Sequence, residues 1–181
     1  MQSQFLSAAA PTAASRTLLV GLSLALAVTC APVRAADRAA PECAVRLAEG
    51  GATSSISQFQ GKILYVDFWA SWCGPCLKSF PFMNELQHEL GDKGLQILAI
   101  NMDEKPDDAA KFLAEHPASF KVALSDNAPC ATDFNVQVMP STYLVDRNGS
   151  IRHVHLGFRP GDAPQLRALI EQLLAENPAV P

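Results

Sequence analysis

Cys73 and Cys76, in Trp72-Cys73-Gly74-Pro75-Cys76, have the type and spacing that do chemistry most directly in this chain. Two thiols this close can pass a disulfide between themselves and a partner: one thiolate attacks, and the other releases the mixed disulfide. Zinc binding would need a second pair at ligand spacing, whereas Cys43 and Cys130 are isolated and have no histidine beside them. A purely structural bond is also a poor reading, because so short a loop gains little from closure. Cys73 is expected to attack. Following a buried strand, it meets the unpaired amides and the positive dipole end of a helix, which favour thiolate over thiol. Cys76, inside the helix, is expected to resolve.

The elements that must position this pair are readable around it. Ile63 to Ala70 is a nearly continuous apolar and aromatic run between Gly61 and Ser71, the pattern of a strand covered on both faces. Phe82, Leu86 and Leu90 then recur at helical spacing up to Gly91, with Pro81 predicting a kink. Leu95 to Met102 reads as a second buried strand. Pro106 with Asp107 and Asp108 opens a helix whose Phe112 and Leu113 face inward. A short strand at Val122 to Leu124 and an irregular stretch around Pro129 follow. Ser141 to Val145 and Ile151 to Leu156 form a hairpin about Asn148-Gly149. Asp162, with Gln165 three residues on, is expected to cap a last helix striped by Leu166, Leu169, Ile170, Leu173 and Leu174. Upstream, Ala44 to Leu47 reads as an edge strand and Ser57 to Phe59 as a helical turn. The order βαβα, ββ, α requires an α/β fold with a central mixed sheet and helices on both faces.

The N-terminal stretch stands apart. Residues 1–17 hold no acid and one basic residue, Arg16, and Leu18 to Val28 is an apolar run too short to span a bilayer as a mature helix. With Val33-Arg34-Ala35 after it, residues 1–35 are expected to be a signal peptide cleaved near Ala35/Ala36, the chain contacting a membrane only if the segment is retained. Thr29 before Cys30 argues against lipoprotein processing. Residues 36–181 are then one domain, folded from about Asp37 to Asn177, placed in the periplasm or another exported compartment. Removing Arg16 and Arg34 takes the formal charge from −4 to −6. A charge of that sign without basic clusters excludes nucleic acid as a partner.

Of the five cysteines, Cys30 leaves with the signal, and the other four allow three pairings. If the close pair bonds to itself, Cys43 and Cys130 remain to form a structural disulfide; the alternative is an inert buried thiol. His153 and His155 alternate along one strand and share a face, which with Met139 raises a copper site; two exposed hairpin histidines is the plainer reading. His88 and His116 read as surface helix residues, and Trp72 as packing beside the motif.

Val66-Asp67-Phe68-Trp69-Ala70-Ser71-Trp72-Cys73-Gly74-Pro75-Cys76 resembles the thioredoxin active-site segment nearly residue for residue, and the element order from Gly61 to Leu174 is similar to that of the thioredoxin superfamily. Gly61-Lys62, Phe80-Pro81 and Met139-Pro140-Ser141-Thr142-Tyr143-Leu144-Val145-Asp146 are most similar to the exported TlpA/ResA-like branch. The resemblance implies a thioredoxin fold and further roles. Pro140 matches the cis-proline facing the disulfide, exposing the Met139 backbone to an extended substrate. Asp67 matches the buried acid that takes a proton from Cys76. Pro81 matches a helix-kinking proline. Ser79 and Asp67 stand where many members of the branch carry glutamate and asparagine, and both differences lean toward thioredoxin itself.

The function expected is that of an exported thiol-disulfide oxidoreductase without cofactor, reducing protein disulfides with electrons from a membrane donor. Gly74-Pro75 between the cysteines resembles reducing thioredoxins. A Cu(I) metallochaperone using Cys73 and Cys76 is the alternative.

Overall fold

A computed structural model describes residues 38–124 and 128–176. The expected signal segment, its cleavage site and Cys30 lie outside the described residues.

Along the chain run β1 (Arg38–Ala39), β2 (Ala44–Arg46), β3 (Thr53–Ser55), a 3₁₀ turn (Ile56–Phe59), β4 (Ile63–Trp69), α1 (Gly74–Leu90), β5 (Leu95–Asn101), α2 (Pro106–Glu115), β6 (Lys121–Ala123), α3 (Ala128–Asp133), β7 (Ser141–Val145), β8 (Ser150–Leu156) and α4 (Ala163–Ala175). Six strands form one mixed sheet in the order β1-β8-β7-β4-β5-β6. β4, β5 and β6 are parallel neighbours, while β7 is antiparallel to both β4 and β8. Two parallel crossovers stepping the same way across a sheet, both right-handed, must put α1 and α2 on one face. To reach β7 the chain then returns across the sheet, and α3 lies on the opposite face. β4 is thus the point where the sheet's direction of growth reverses, the place where an open sheet leaves a crevice at its strand ends.

Every residue of β4 is buried, and its side chains alternate between two cores. Ile63, Tyr65 and Trp69 face α1, α2 and α4, together with Phe80, Met83, Leu86, Phe112, Leu166 and Ile170. Leu64, Val66 and Phe68 face α3 and the N-terminal segment, together with Val45, Phe59, Phe134 and Tyr143. Trp69, Phe80 and Phe112 meet pairwise with ring centroids 4.9 Å apart, locking α1 and α2 onto the strand that ends at the cysteines.

Several local expectations change. Residues around Pro129 are not irregular: they form α3, six residues long and too short to show a helical period. β2 pairs with β3 in a separate two-stranded sheet, and its end reaches the β6 edge through Leu124 N–H to Arg46 O, 2.9 Å, and Ala48 N–H to Val122 O, 2.8 Å. Asp162 does not cap α4 with its side chain. Its Oδ2 instead accepts from Arg159 N–H at 2.8 Å, closing the 3₁₀ turn Pro160–Asp162 ahead of the helix. Leu166, Ile170 and Leu173 are buried as the stripe requires, while Leu169 and Leu174 are half-buried. The far end of α4 is held by Arg147, whose guanidinium donates to the carbonyls of Leu173, Leu174 and Glu176 at 2.9–3.1 Å. Pro81 lies inside α1, on its exposed side. Among the described residues no helix is long and apolar enough to cross a membrane.

Candidate active site

Cys73 is the N-cap residue of α1, directly after the turn that leaves β4. The turn closes by Cys73 N–H to Ala70 O, 3.1 Å. The Cys73 sulfur accepts the Cys76 amide at 3.2 Å, and Pro75, in the first turn, has no amide to leave unpaired. A thiolate at this sulfur would meet one aimed N–H and the positive end of a 17-residue helix. Cys73 and Cys76 are bonded to each other, with Cα atoms 5.2 Å apart. Cys76 is fully buried and Cys73 is 5% exposed, whereas Trp72 is 70% exposed beside them. Trp72, expected to pack beside the motif, instead projects into solvent, and with exposed Leu77 it offers apolar surface close to the sulfurs in sequence.

The turn itself is held by a residue the sequence did not flag. Asp103, two residues beyond β5 and buried, accepts from Ser71 N–H at 3.0 and 3.1 Å, from Ser71 Oγ at 2.9 Å and from Asn101 Nδ2 at 2.7 Å. The parallel register that sets Trp69 beside Asn101 brings these groups together. Backbone bonding adds Met102 N–H to Trp69 O at 2.8 Å. The only sign of it in the sequence was a pair of polar residues, Asn101 and Asp103, following the apolar run Ile97 to Ile100.

Asp67 shares a strand face with Tyr65 and Trp69 and is fully buried. Its Oδ1 accepts from Thr142 Oγ1 at 2.7 Å, and Thr142 Oγ1 lies 3.3 Å from the Tyr65 hydroxyl. Asp67 Oδ2 and Trp69 Nε1 are buried without a hydrogen-bond partner among the described residues. Burial pushes the Asp67 carboxyl up to about 7, against the Thr142 hydrogen bond, which pulls it down. Burial also raises the Tyr65 phenol, with the Asp67 charge adding to it. A carboxyl poised near neutrality, with one free oxygen, on the face that receives α1 can take up and release a proton.

The Met139–Pro140 peptide bond is cis. Met139 packs against the cluster that contains Cys73 and Cys76, and Ser141, the next residue after Pro140, pairs with Phe68. Ser79 is buried and turns its hydroxyl to Cys76 O at 2.9 Å. Cys43 and Cys130 are bonded across 87 positions, joining the segment before β2 to α3.

His153 and His155 do share a face, with ring centroids 6.4 Å apart, but they are half-buried rather than exposed. His155 Nε2 lies 3.3 Å from Asp162 Oδ2. Burial, followed by the neighbouring His155, lowers the His153 pKa. His116 is likewise half-buried against Phe112, while His88 is exposed. Among the described residues no three His, Cys, Asp or Glu side chains gather as a metal site.

A bonded cysteine pair at the start of a helix, on a mixed sheet with a cis-proline at the head of the neighbouring strand, defines a protein of the thioredoxin-fold class. The Redoxin family model matches residues 34–170, and the chain belongs to that family. It is 41% identical to a protein from Chlorobium tepidum assigned as a thiol:disulfide interchange protein DsbE, with a TM-score of 0.74 over 77% of this chain and 98% of that one. The thioredoxin domain of a thiol-disulfide oxidoreductase from Bacteroides vulgatus aligns at 25% identity and a TM-score of 0.67, covering 76% of this chain and 99% of that domain. The thiol-disulfide oxidoreductase ResA of Geobacillus kaustophilus is 31% identical over 102 residues, 56% of this chain. That match spans 59% of the relative's length.

Proposed function

We propose that the chain is a thiol-disulfide oxidoreductase acting on protein disulfides, with Cys73 as nucleophile, Cys76 as resolving thiol and Asp67 as its base. The observation that carries this reading is the Cys73 sulfur at the N-cap of α1, bonded to Cys76 and carried by the same strand and turn as a buried carboxyl with a free oxygen. In the reductive direction the Cys73 thiolate attacks a substrate disulfide, forming a mixed disulfide and releasing one substrate thiolate, which takes a proton from water. Asp67 then accepts the Cys76 proton. The Cys76 thiolate bonds to Cys73, the bond from Cys73 to the substrate breaks, and its electron pair leaves on the substrate sulfur, which is protonated by water. Two electrons pass to the substrate, and the Cys73–Cys76 disulfide is formed.

Met139 and Pro140 flank this centre as the proposed seat of an extended substrate segment, with Trp72, Gly74 and Pro75 as the motif surface it meets. The sequence of residues 1–35 supports export to the periplasm or its equivalent, where a membrane thiol donor would return the electrons. The names of the relatives support the chemistry, and Gly74-Pro75 supports the reducing direction.

Insulin reduction by the dithiothreitol-primed protein tests the activity. Turnover lost in Cys73→Ser is the expected result; undiminished turnover in that variant would overturn the reading. N-terminal mass analysis of the exported protein tests cleavage near Ala36.

A further inference from the structure

We propose that Thr142 is a positioning residue of the exchange reaction: its hydroxyl holds Asp67 by Oδ1 and leaves Oδ2 to take the Cys76 proton. The assignment rests on the reading of Asp67 as the base given above.

The register places Thr142 directly opposite Asp67 on antiparallel β7, where cross-strand side chains share a face with Cβ atoms about 5 Å apart. On the other flank β5 sets Ala99 beside Asp67, a side chain with no polar atom. From the helices packed on this face, α1 brings Cys76 with N-cap Cys73 beside it, and α4 brings Leu166 and Ile170. Tyr65 is the titratable neighbour along β4. His155 stands opposite Thr142 on β8 and is engaged by Asp162. Thr142 is therefore the one side chain among the described residues that hydrogen-bonds Asp67, and no cation pairs with this carboxyl.

A hydroxyl has one proton to donate. At 2.7 Å Asp67 Oδ1 is the nearer acceptor of the Thr142 proton, with the Tyr65 oxygen a second and longer one at 3.3 Å. Tyr65 is fully buried, and burial with the Asp67 charge raises its pKa, so the phenol adds no charge beside Asp67 in the neutral range. The Thr142 proton therefore serves Asp67 first, with the Tyr65 oxygen as the weaker acceptor. One lone pair of Oδ1 is already engaged by the Thr142 proton, whereas Oδ2 has no hydrogen-bond partner. Thr142 also stabilises the ionised carboxylate inside a core that disfavours it, which brings the acid into a range where it can both accept and release a proton near neutral pH.

The test is the titration of the Asp67 carboxyl carbon by ¹³C NMR in the oxidised full chain, where neither cysteine of the pair titrates. Wild type should show a midpoint near 7. Thr142→Val should lower the Asp67 ionisation constant on the order of tenfold, and Thr142→Ser should restore it. A folded Thr142→Val chain with an unmoved midpoint overturns the proposal. Should Thr142→Val not fold, Thr142→Ala is titrated in its place, and an unmoved midpoint there overturns the proposal. The rate at which a mixed disulfide on Cys73 is resolved, followed against pH, separates the two claims. If the Asp67 midpoint moves and the resolution profile does not, the base reading falls while the hold of Thr142 on Asp67 stands.

Discussion

Asp67 is costly where it sits, and the cost has a sign that pH reveals. Its carboxyl is raised from 3.8 to about 7, so between those values the folded chain keeps a proton that the unfolded chain has released. Stability therefore falls as pH rises through that window, and above 7 the whole penalty is carried, on the order of 4 kcal/mol. Asp67→Asn should flatten this slope: the variant should be more stable than wild type at pH 8 and no more stable at pH 4, by urea unfolding of the oxidised protein. Equal pH slopes for the two proteins would refute the assignment of the buried charge. The same substitution should slow release of a mixed disulfide at neutral pH, because Asn cannot accept the Cys76 proton. Asp103 acts differently, through geometry. Asp103→Ala would leave the Ser71 amide and hydroxyl and the Asn101 amide without their acceptor, at a cost of about 2–4 kcal/mol. Amide exchange at Ser71 to Cys73 should then rise well above wild type, and unchanged exchange there would show that the turn holds without the clamp.

At the scale of elements, the site depends on α1 being docked and on the far face being tied. The aromatic contacts among Trp69, Phe80 and Phe112 do the first, helped by Arg167 of α4, which reaches Glu85 and Glu89 of α1 at 2.6 and 2.7 Å. Those ion pairs are partly exposed and contribute little energy. The Cys43–Cys130 bond does the second, closing a loop whose chain-entropy worth is about 4–5 kcal/mol. A Cys43→Ala, Cys130→Ala chain should lose stability of that order while the reduction potential of Cys73 and Cys76 stays within error of wild type, since the two bonds lie in different cores. A shifted potential would mean that the two are coupled. Arg147 satisfies carbonyls that the end of α4 would otherwise leave bare. Arg147→Ala should cost about 1–3 kcal/mol and should free the last turn of α4 to exchange first.

For the molecule as a whole, the direction of electron flow is the property that defines its work. The helix N-terminus and the Cys76 amide stabilise a Cys73 thiolate, which taken alone would make the dithiol the more stable form and the protein oxidising. Against this, two carboxyls are buried, Asp67 on the strand that leads to the pair and Asp103 against Ser71, and among the described residues no cation pairs with either. Negative charge on Asp67, carried above about 7, opposes the thiolate and favours the disulfide. A glutathione or dithiothreitol titration should therefore place the potential near about −270 mV, the reducing end of this class of proteins. A value near about −120 mV would reverse the proposed direction.

The chemistry of this protein lies in short-range features. Cys73, Gly74, Pro75 and Cys76 at the end of a doubly covered strand sufficed to place a reactive sulfur at a helix start, because strand burial and helix onset are local properties of pattern and turn chemistry. The continuous apolar runs in β4 and β5 showed that both faces would be covered, and the order of elements restricted the sheet to a mixed one. What the tertiary structure alone decided depends on register and on long separations. Thr142 meets Asp67 across 75 positions, Asp103 meets Ser71 across 32, and Cys43 meets Cys130 across 87. No periodicity encodes these meetings, since each follows from which strands the crossovers make neighbours. Short elements escaped for a related reason: β1, β3 and α3 are held by partners across the fold, and their own few residues carry too little pattern to reveal them. Asp162, which looked like a cap, was drawn instead to the Arg159 amide and His155, because a carboxylate takes the donors that packing brings nearest.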